Sequence, residues 1–361
     1  WESTESFNYG FELGLLKDRV NIQLDAYNSK TTNQIFNRTI PVMINGLSSM
    51  KATMGRVDNW GIEINLNTKN IMTKDFSWES ALNFYLNRNK LYIDKVSPFR
   101  KQMNRNKLKE LYGDGKDDIS NSLFLGKSLG AIYGYKPVGI VQAAYGADGK
   151  PLYDANGHLQ VCDADKAYAE ANGAKPGDVK FANLDGSEDG VITAEDRTIL
   201  GYNKPNFTMS LGNTLRYKDF ELYFLFTGLF GGGGYAKAVN LYAYQTNSDN
   251  ADDNNLNHGW WTAENKSNKY PRIDYNDGRY RPLQSYAFIR LQSLSLSYTF
   301  RQAWLKKAMI NNLKLYVTAQ NLFTLTGWDG GDPEVKQTLG TGYSYDYPLS
   351  RTVSVGLNLT F

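Results

Sequence analysis

The sequence is poor in several features that would indicate common protein classes. It has one cysteine, Cys162, so no disulfide can form within it. No run of 18 apolar residues occurs and the mean hydropathy is −0.50, which excludes a bundle of membrane-spanning helices. Its 40 basic and 37 acidic residues are scattered, so the net charge of +3 does not indicate nucleic-acid binding. The first residue is Trp1, and no signal-peptide pattern follows it.

What the sequence does contain is a series of segments in which apolar and polar residues alternate. The last segment shows this pattern clearly, because successive strand side chains point to opposite faces. One face would carry Val353, Val355, Leu357, Leu359 and Phe361. A strand of about ten residues that ends on an aromatic suits the closing strand of a membrane barrel. We therefore predict Phe361 as an outer-membrane assembly signal.

Nine such strands are predicted, and short and long connections alternate between them. Outer-membrane barrels have this asymmetry, with short periplasmic turns and long extracellular loops, whereas soluble sandwiches do not require it. The sequence thus predicts an all-β fold, the C-terminal part of a large antiparallel transmembrane β-barrel. We treat residues 1–361 as part of one barrel domain. Residues 89–205 are predicted to be a long, irregular extracellular loop region.

The number of strands bears on the size of the barrel. Single-chain bacterial barrels have even strand numbers, and nine is odd. An open sheet in lipid would leave two edges of unpaired backbone groups, each costing several kcal/mol. We therefore expect the missing N-terminal strands to lie upstream of this chain. Strand parity predicts that Phe361 is periplasmic and that Trp1 lies near an extracellular loop.

An Asp-rich segment, residues 185–196, has the spacing of an EF-hand calcium loop. Oxygen ligands fall at loop positions 1, 3, 5, 7, 9 and 12, and Gly190 takes the position of the turn glycine. The predicted ligands of a structural Ca²⁺ are Asp185, Ser187, Asp189, the carbonyl of Val191, Thr193 and Asp196. A helix is expected over 193–200. The alternative is an Asx-rich turn without metal.

Other candidate sites are open to two interpretations each. Four aromatic residues are candidates for stacking on sugar rings, with loop packing as the alternative: Tyr242, Tyr244, Trp260 and Trp261. A basic stretch from Arg88 to Lys109 could face lipopolysaccharide or an anionic partner, or be a solvated loop. Gly126-Lys-Ser128-Leu-Gly130 fits a nucleophile elbow, but no α/β sheet surrounds it, so we predict no enzyme activity and no organic cofactor.

Motifs spread over nearly the whole chain resemble the C-terminal barrel of the SusC/RagA family of TonB-dependent outer-membrane transporters. The matching stretches are Asn59-Trp-Gly61-Ile-Glu63, Tyr133-Gly-Tyr135, Asp196-Arg197-Thr-Ile-Leu-Gly201, Trp261-Thr-Ala-Glu-Asn265, Phe288-Ile-Arg290-Leu, Gln320-Asn-Leu-Phe323 and Tyr347-Pro348. The Asp-rich motif differs from the family's usual spacing by two extra residues near Ser187 and Glu188.

The resemblance implies a 22-stranded barrel in the outer membrane of a Gram-negative bacterium, filled by a plug. It implies that the plug, like the missing N-terminal strands, is outside this chain. It implies energy supplied through the TonB complex and a SusD-like surface lipoprotein as partner. The expected activity is import of a glycan or oligosaccharide, or of an oligopeptide, across outer-membrane lipid, with no nucleic acid involved. A passive porin or structural barrel is one alternative. A calcium-dependent soluble glycan-binding module is another.

Overall fold

A computed structural model describes residues 1–39, 49–53, 55–92, 119, 122–235, 259–275, 277–281, 283–301, 305, 309–328, 332–334 and 349–361. Nine long strands form the main sheet: β1 (Ser3–Leu15), β2 (Val20–Thr32), β5 (Arg56–Met72), β6 (Phe76–Tyr92), β11 (Phe207–Tyr217), β12 (Phe220–Phe230), β15 (Phe288–Phe300), β16 (Asn312–Thr326) and β17 (Thr352–Thr360). They pair antiparallel in sequence order. The nine predicted strands and the antiparallel fold are confirmed.

The connections between these strands differ in length at the two ends of the sheet. The short-turn end has the turns 16–19, 73–75 and 218–219 and the connection 301–311. The remaining connections, at the opposite end, are all longer than 20 residues, and we call this end the long-connection end. In the 16–19 turn, Leu16, Lys17 and Asp18 all have positive φ angles, from 54° to 59°.

Each long strand has one apolar and one polar face. We call the side that carries Val355 and Leu357 the apolar face, and the opposite side the polar face. The apolar face is open to its surroundings: Val355 is 70% exposed and Phe11 is 56% exposed. Among the described residues, no helix is both long and apolar enough to cross a membrane. An exposed apolar face of this extent requires an apolar environment or a partner.

The long connections contain further, shorter elements. Strands β3 (Ile35–Thr39) and β4 (Ser49–Thr53) pair with each other. The connection between β6 and β11 contains β7 (Ala131–Tyr135), β8 (Pro137–Ile140), helix α1 (Asp163–Asn172), β9 (Val179–Phe181) and β10 (Arg197–Tyr202). The connection between β12 and β15 contains β13 (Gly233–Tyr235) and β14 (Leu283–Ser285). Strand β7 pairs with β10, β8 with β9, and β13 with β14.

These elements correct two predictions. Residues 89–205 are not irregular throughout, because β6 extends to Tyr92 and the elements above follow it. The helix expected over 193–200 is also wrong. A 3-10 turn occupies Ala194–Asp196, and β10 begins at Arg197 because Thr198 and Ile199 pair with Gly134 and Tyr133 of β7. Most of the basic stretch, from residue 93 onward, lies outside the described residues, as does most of the segment 302–310 that was expected to make one or two helical turns.

Candidate functional site

Two long connections, distant in sequence, share one hydrophobic core at the long-connection end. The first connection contributes Ile140, Ala143, Val179, Phe181 and Ile192, and the second contributes Trp261, Tyr270, Tyr275 and Tyr280. We call residues 131–202 together with 259–281 the loop module. A shared core means that the two connections present their surfaces as one body. The sequence patterns of strand and loop do not indicate this pairing.

Gln142 links both parts of the loop module through its side chain. Its amide nitrogen donates to the carbonyl of Ser267 at 3.1 Å, and its amide oxygen accepts from the Trp261 indole at 3.0 Å. Its backbone N–H donates to Asp165 Oδ2 at 2.7 Å, and the other oxygen of that carboxyl pairs with Lys180. Desolvation acts to raise the pKa of Asp165, but the hydrogen bonds from Lys180 and Gln142 outweigh it and lower the pKa. The carboxyl is therefore held in its charged form inside the module.

A glycine permits the closest approach between the two connections. Gly177 has φ +92°, and a Cβ atom there would lie 2.6 Å from Cε3 of Trp261. Its carbonyl accepts from the N–H of Arg272 at 2.9 Å. The Arg272 guanidinium also bonds Asp178 at 2.7 Å. A side chain at position 177 would push the Trp261 indole away from the backbone of Gly177.

The six residues predicted to bind calcium lie in one loop, and much of their polar surface bonds to the chain itself. Asp196, which is fully buried, accepts from the N–H groups of Leu184 at 2.6 Å and Asp185 at 3.1 Å through Oδ1. Its Oδ2 accepts from the N–H of Thr193 at 2.7 Å. Burial acts to raise the pKa of Asp196, and these backbone hydrogen bonds reverse the effect and lower it. Asp196 thus caps the turn.

The other predicted carboxyl ligands, Asp185 and Asp189, are exposed and bond to residues two positions away in the sequence. Asp185 accepts from the N–H of Ser187 at 2.8 Å. Asp189 accepts from the N–H of Val191 at 3.0 Å and from the hydroxyl of Ser187 at 2.8 Å, and these bonds lower its pKa. Within the described residues there is no group of three or more His, Cys, Asp or Glu side chains arranged to hold a metal. In this conformation the donor set fits the metal-free turn better than an ion, and calcium binding stays a prediction.

Asn172, a residue that the sequence patterns did not single out, fastens this loop to helix α1. Its amide nitrogen donates to the carbonyl of Gly190 at 2.9 Å, and its amide oxygen accepts from the N–H of Ile192 at 2.9 Å. The side chain thereby occupies both backbone groups that flank Val191. Because Ile192 belongs to the core, this contact fixes the loop against the module.

The aromatic residues that were candidates for sugar stacking differ in their burial. Trp261 is 4% exposed and belongs to the core, which supports loop packing rather than sugar stacking at this position. Trp260 is partly buried against the same core, and its carbonyl accepts from Asn265 at 2.7 Å. Tyr242 and Tyr244 lie outside the described residues. Phe361 follows the end of β17 and is 77% exposed, and its predicted role in assembly stays a prediction.

The polar face of the main sheet contains a buried ionic group that sequence analysis missed. Arg290 of β15 is 1% exposed and donates from Nε to the Thr324 hydroxyl at 3.0 Å. Its Nη2 lies 2.5 Å from Asp332 Oδ1, and its Nη1 lies 3.0 Å from Glu334 Oε2. The second oxygen of Asp332 accepts from the N–H of Leu349 at 3.2 Å. Arg290 therefore holds both limbs of the β16–β17 connection against the sheet. In the sequence, Arg290 alternates in step with Leu294 and Leu296 of the apolar face. The bulge between Leu291 and Ser293 shifts it to the polar face, opposite Thr227, so the alternation gave no signal for it.

Comparisons with known proteins agree with this architecture. No family model matches the chain. The chain is 29% identical to the TonB-dependent receptor P3 of Formosa agariphila, over 100% of this chain and 34% of that receptor. It is 25% identical to the TonB-dependent receptor SusC of Bacteroides thetaiotaomicron, over 100% of this chain and 32% of that receptor. The chain thus spans about a third of the length of the curated relatives it matches.

Solved structures share the fold at lower sequence identity. The RagAB peptide transporter matches all of this chain with a TM-score of 0.68 and 19% identity, over 36% of the matched chain. The open-open state of the RagAB peptide importer matches with a TM-score of 0.65, over 100% of this chain and 35% of the other. The resemblance to the C-terminal part of SusC-type and RagA-type proteins is confirmed, as is the fold class.

Proposed function

We propose that this chain, which resembles SusC-type TonB-dependent receptors over its whole length, forms part of the wall of a TonB-dependent importer in the outer membrane of a Gram-negative bacterium. The single observation that carries the proposal is the extent of the similarity, since every part of the chain aligns with receptors of this class. In the family, the complete barrel has 22 strands and contains a plug. The chain itself performs no covalent chemistry.

The physical features of the sheet support this assignment. An apolar face that is open to its surroundings suits contact with lipid, and a polar opposite face suits a wet lumen. In this orientation the short-turn end is periplasmic and the long-connection end is extracellular. The loop module then lies on the cell surface. The N-terminal part of the whole protein, which is outside this chain, would contact the TonB complex in the periplasm.

The cargo that we propose is a glycan or oligosaccharide, captured at the cell surface with a SusD-like lipoprotein, and an oligopeptide is the second possibility. The glycan is preferred because the resemblance to the SusC/RagA family implies a glycan or an oligopeptide as cargo, and the receptor SusC matches the whole chain at 25% identity. The RagAB structures are named for peptides, but they share only the fold with this chain, at 19% identity. Capture between the loop module and the lipoprotein would precede TonB-driven movement of the plug. Ca²⁺, if bound at 185–196, would stiffen the module beside this partner.

Growth and uptake of a strain lacking the gene test the proposal. We expect loss of growth on one polymeric glycan as the sole carbon source, restored by a plasmid copy of the gene. Growth lost on protein hydrolysate instead would identify the oligopeptide as the cargo. The same uptake assay in a strain without TonB separates an importer from a passive porin. Uptake that continues at the normal rate without TonB would refute the importer.

A further inference from the structure

A group of cations lies on the apolar face where that face reaches the long-connection end. Along β5, Ile62, Ile64 and Leu66 are followed in the direction of this end by Trp60, Asp58 and Arg56, which lie on the same face because side chains two apart point to the same side. The adjacent strands continue the pattern. Lys30 of β2 and Lys90 of β6 both stand directly opposite Asp58, and Arg88 stands opposite Trp60.

Several of these cations are fixed in position by neighbouring groups. Arg56 forms a two-pronged ion pair with Asp58, at 2.7 Å and 2.9 Å, and lies over the ring of Tyr92 at 4.5 Å. Lys90 approaches the same ring, with Nζ 5.3 Å from its centroid. Arg88 donates from Nη1 to the carbonyls of Asn206 at 2.5 Å and Asn87 at 3.0 Å. Holding these side chains in place reduces the entropy that a ligand must remove on binding.

The local charge balance is positive. Among the residues that the structure describes, the four cations Lys30, Arg56, Arg88 and Lys90 lie beside two carboxyls. These are Asp58 of β5 and Glu5 of β1, which stands opposite Lys30 of β2. Asp58 is already engaged by Arg56 with both oxygens. Neighbouring strands are about 4.8 Å apart, so Lys30 and Lys90 are separated by about 10 Å across Asp58. The group therefore forms one compact cationic patch rather than isolated surface charges.

The position of Trp60 gives the depth of this patch. Its side chain is 47% exposed and adjoins the apolar band that begins at Ile62. In membrane barrels, aromatic residues at this boundary lie at the level of the lipid headgroups. Asp58, Lys30 and Lys90 lie two residues farther along the strands, about 7 Å beyond Trp60. This is the depth of charged headgroups in the outer leaflet.

We propose that Lys30, Arg56, Arg88 and Lys90 form a binding site for the phosphate groups of an anionic glycolipid headgroup in the outer leaflet. The proposal rests on the membrane location given under the proposed function. Guanidinium and ammonium groups are the side chains that bind phosphate, through charge-assisted hydrogen bonds. Clusters of Lys and Arg next to an apolar membrane-facing surface recognise anionic lipid headgroups in the same way. The site faces away from the polar face, so it is separate from any path of the cargo.

Native mass spectrometry of the intact protein in detergent tests the site, with purified lipid A as the probe and dephosphorylated lipid A as the comparison. We expect the phosphorylated form to bind at least about tenfold more tightly. Lys30→Gln combined with Lys90→Gln, which leaves the Arg56–Asp58 pair intact, should abolish most of that preference. Adding Arg88→Gln should remove the rest. Lys69→Gln combined with Lys74→Gln, at the short-turn end of the same strands, is the matched control and should bind like the wild-type protein.

Three outcomes would overturn the proposal. The first is equal binding of both lipids, and the second is an unchanged preference in the Lys30 and Lys90 variant. The third is full competition by millimolar inorganic phosphate, which would show a site for free anions rather than for a lipid.

Insertion into membranes is measured in parallel by heat-dependent mobility on gels. A protein that inserts normally but shows no phosphate preference refutes only this site, whereas one that does not insert refutes the proposed function as well.

Discussion

The phenol ring of Tyr27 on β2 lies across the backbone of Gly61 on β5. A Cβ atom at Gly61 would come within 2.5 Å of two ring carbons of Tyr27. The tyrosine hydroxyl thereby passes over β5 and accepts a hydrogen bond from Asn87 on β6, the next strand but one. The same arrangement recurs at the other edge of the sheet, where Tyr316 lies against Gly356. At Gly61 the missing side chain allows Tyr27 to tie β2, β5 and β6 together, and at Gly356 it leaves room for the ring of Tyr316.

Replacing Gly61 with alanine should therefore destabilise the sheet. The added methyl group must displace the Tyr27 ring, and overpacking of this kind costs about 1–3 kcal/mol. Urea-dependent unfolding in detergent micelles measures the change. Gly278→Ala is the control, because nothing lies within 4 Å of the position of its Cβ, and it should be neutral. If Tyr27→Ala restores no stability to the Gly61→Ala protein, the ring contact is not the cause.

Arg290→Met should destabilise the folded protein strongly. It leaves the carboxyl of Asp332, whose side chain is 9% exposed, without its ion-pair partner, and breaking a buried pair from one side costs about 3–5 kcal/mol. The β16–β17 connection should also be released. Limited proteolysis and unfolding curves would report both effects.

Two comparisons make that result interpretable. The combined change Arg290→Met and Asp332→Leu removes both charges and should recover part of the lost stability. Arg216→Gln removes a half-exposed cation that pairs with Glu79 and Glu221 on strands β6 and β12, and it should cost less than about 1 kcal/mol. A cost of that size for Arg290→Met would show that its ion pair is not effectively buried.

The main sheet could be predicted from the sequence, whereas most of the site could not. Alternation in segments such as Val353–Leu359 fixes strand, face and approximate bounds, because the period of two is a local property. The core that joins Ile192 to Trp261 depends on contacts between residues about 70 positions apart, which no local pattern encodes. The helix expected after residue 193 failed for the same reason, since the pairing of Ile199 with β7 overrides its local preference.

The last strand tests which face meets lipid. Val355→Arg should cost about 2–4 kcal/mol if it lies near the bilayer midplane, because a charged side chain on the lipid face is expensive there. Ser354→Arg, on the polar face opposite Thr318, should fold nearly normally. Folding yield into lipid vesicles compares the two directly. Similar yields for both variants would mean that the faces are assigned incorrectly.

The loop module should open in acid. The pKa of Asp165 is lowered in the folded protein, so its contribution is fully present above about pH 3.9, the value for an unfolded aspartate, and is lost as pH falls through the lower folded value. The fluorescence of Trp261 between pH 5 and pH 2 should report this opening, because Gln142 contacts both Asp165 and Trp261. Asp165→Asn should make the acid transition smaller, although Asp196, whose pKa is also lowered, still titrates in the same module. Asp148→Asn, which replaces an exposed pair partner of Lys150, should leave the transition in place. A transition of unchanged size in Asp165→Asn would rule out this carboxyl as the group responsible.

Replacing three carboxyls one at a time distinguishes calcium binding by residues 185–196 from a metal-free turn held by its own hydrogen bonds. If the loop binds Ca²⁺, the melting temperature of the protein should rise in calcium relative to chelator, because a ligand that binds only the folded state stabilises it. Asp185→Asn and Asp189→Asn should abolish that rise with little effect in chelator, since both side chains are exposed.

Asp196→Asn should lower the melting temperature in both conditions, because its carboxyl accepts backbone N–H bonds from Leu184 and Thr193. Glu188→Gln, an exposed acid outside the predicted ligand set, is the control and should melt like the wild-type protein. Identical melting of the wild-type protein in calcium and in chelator, with Asp196→Asn alone destabilising, would leave the metal-free turn as the correct interpretation.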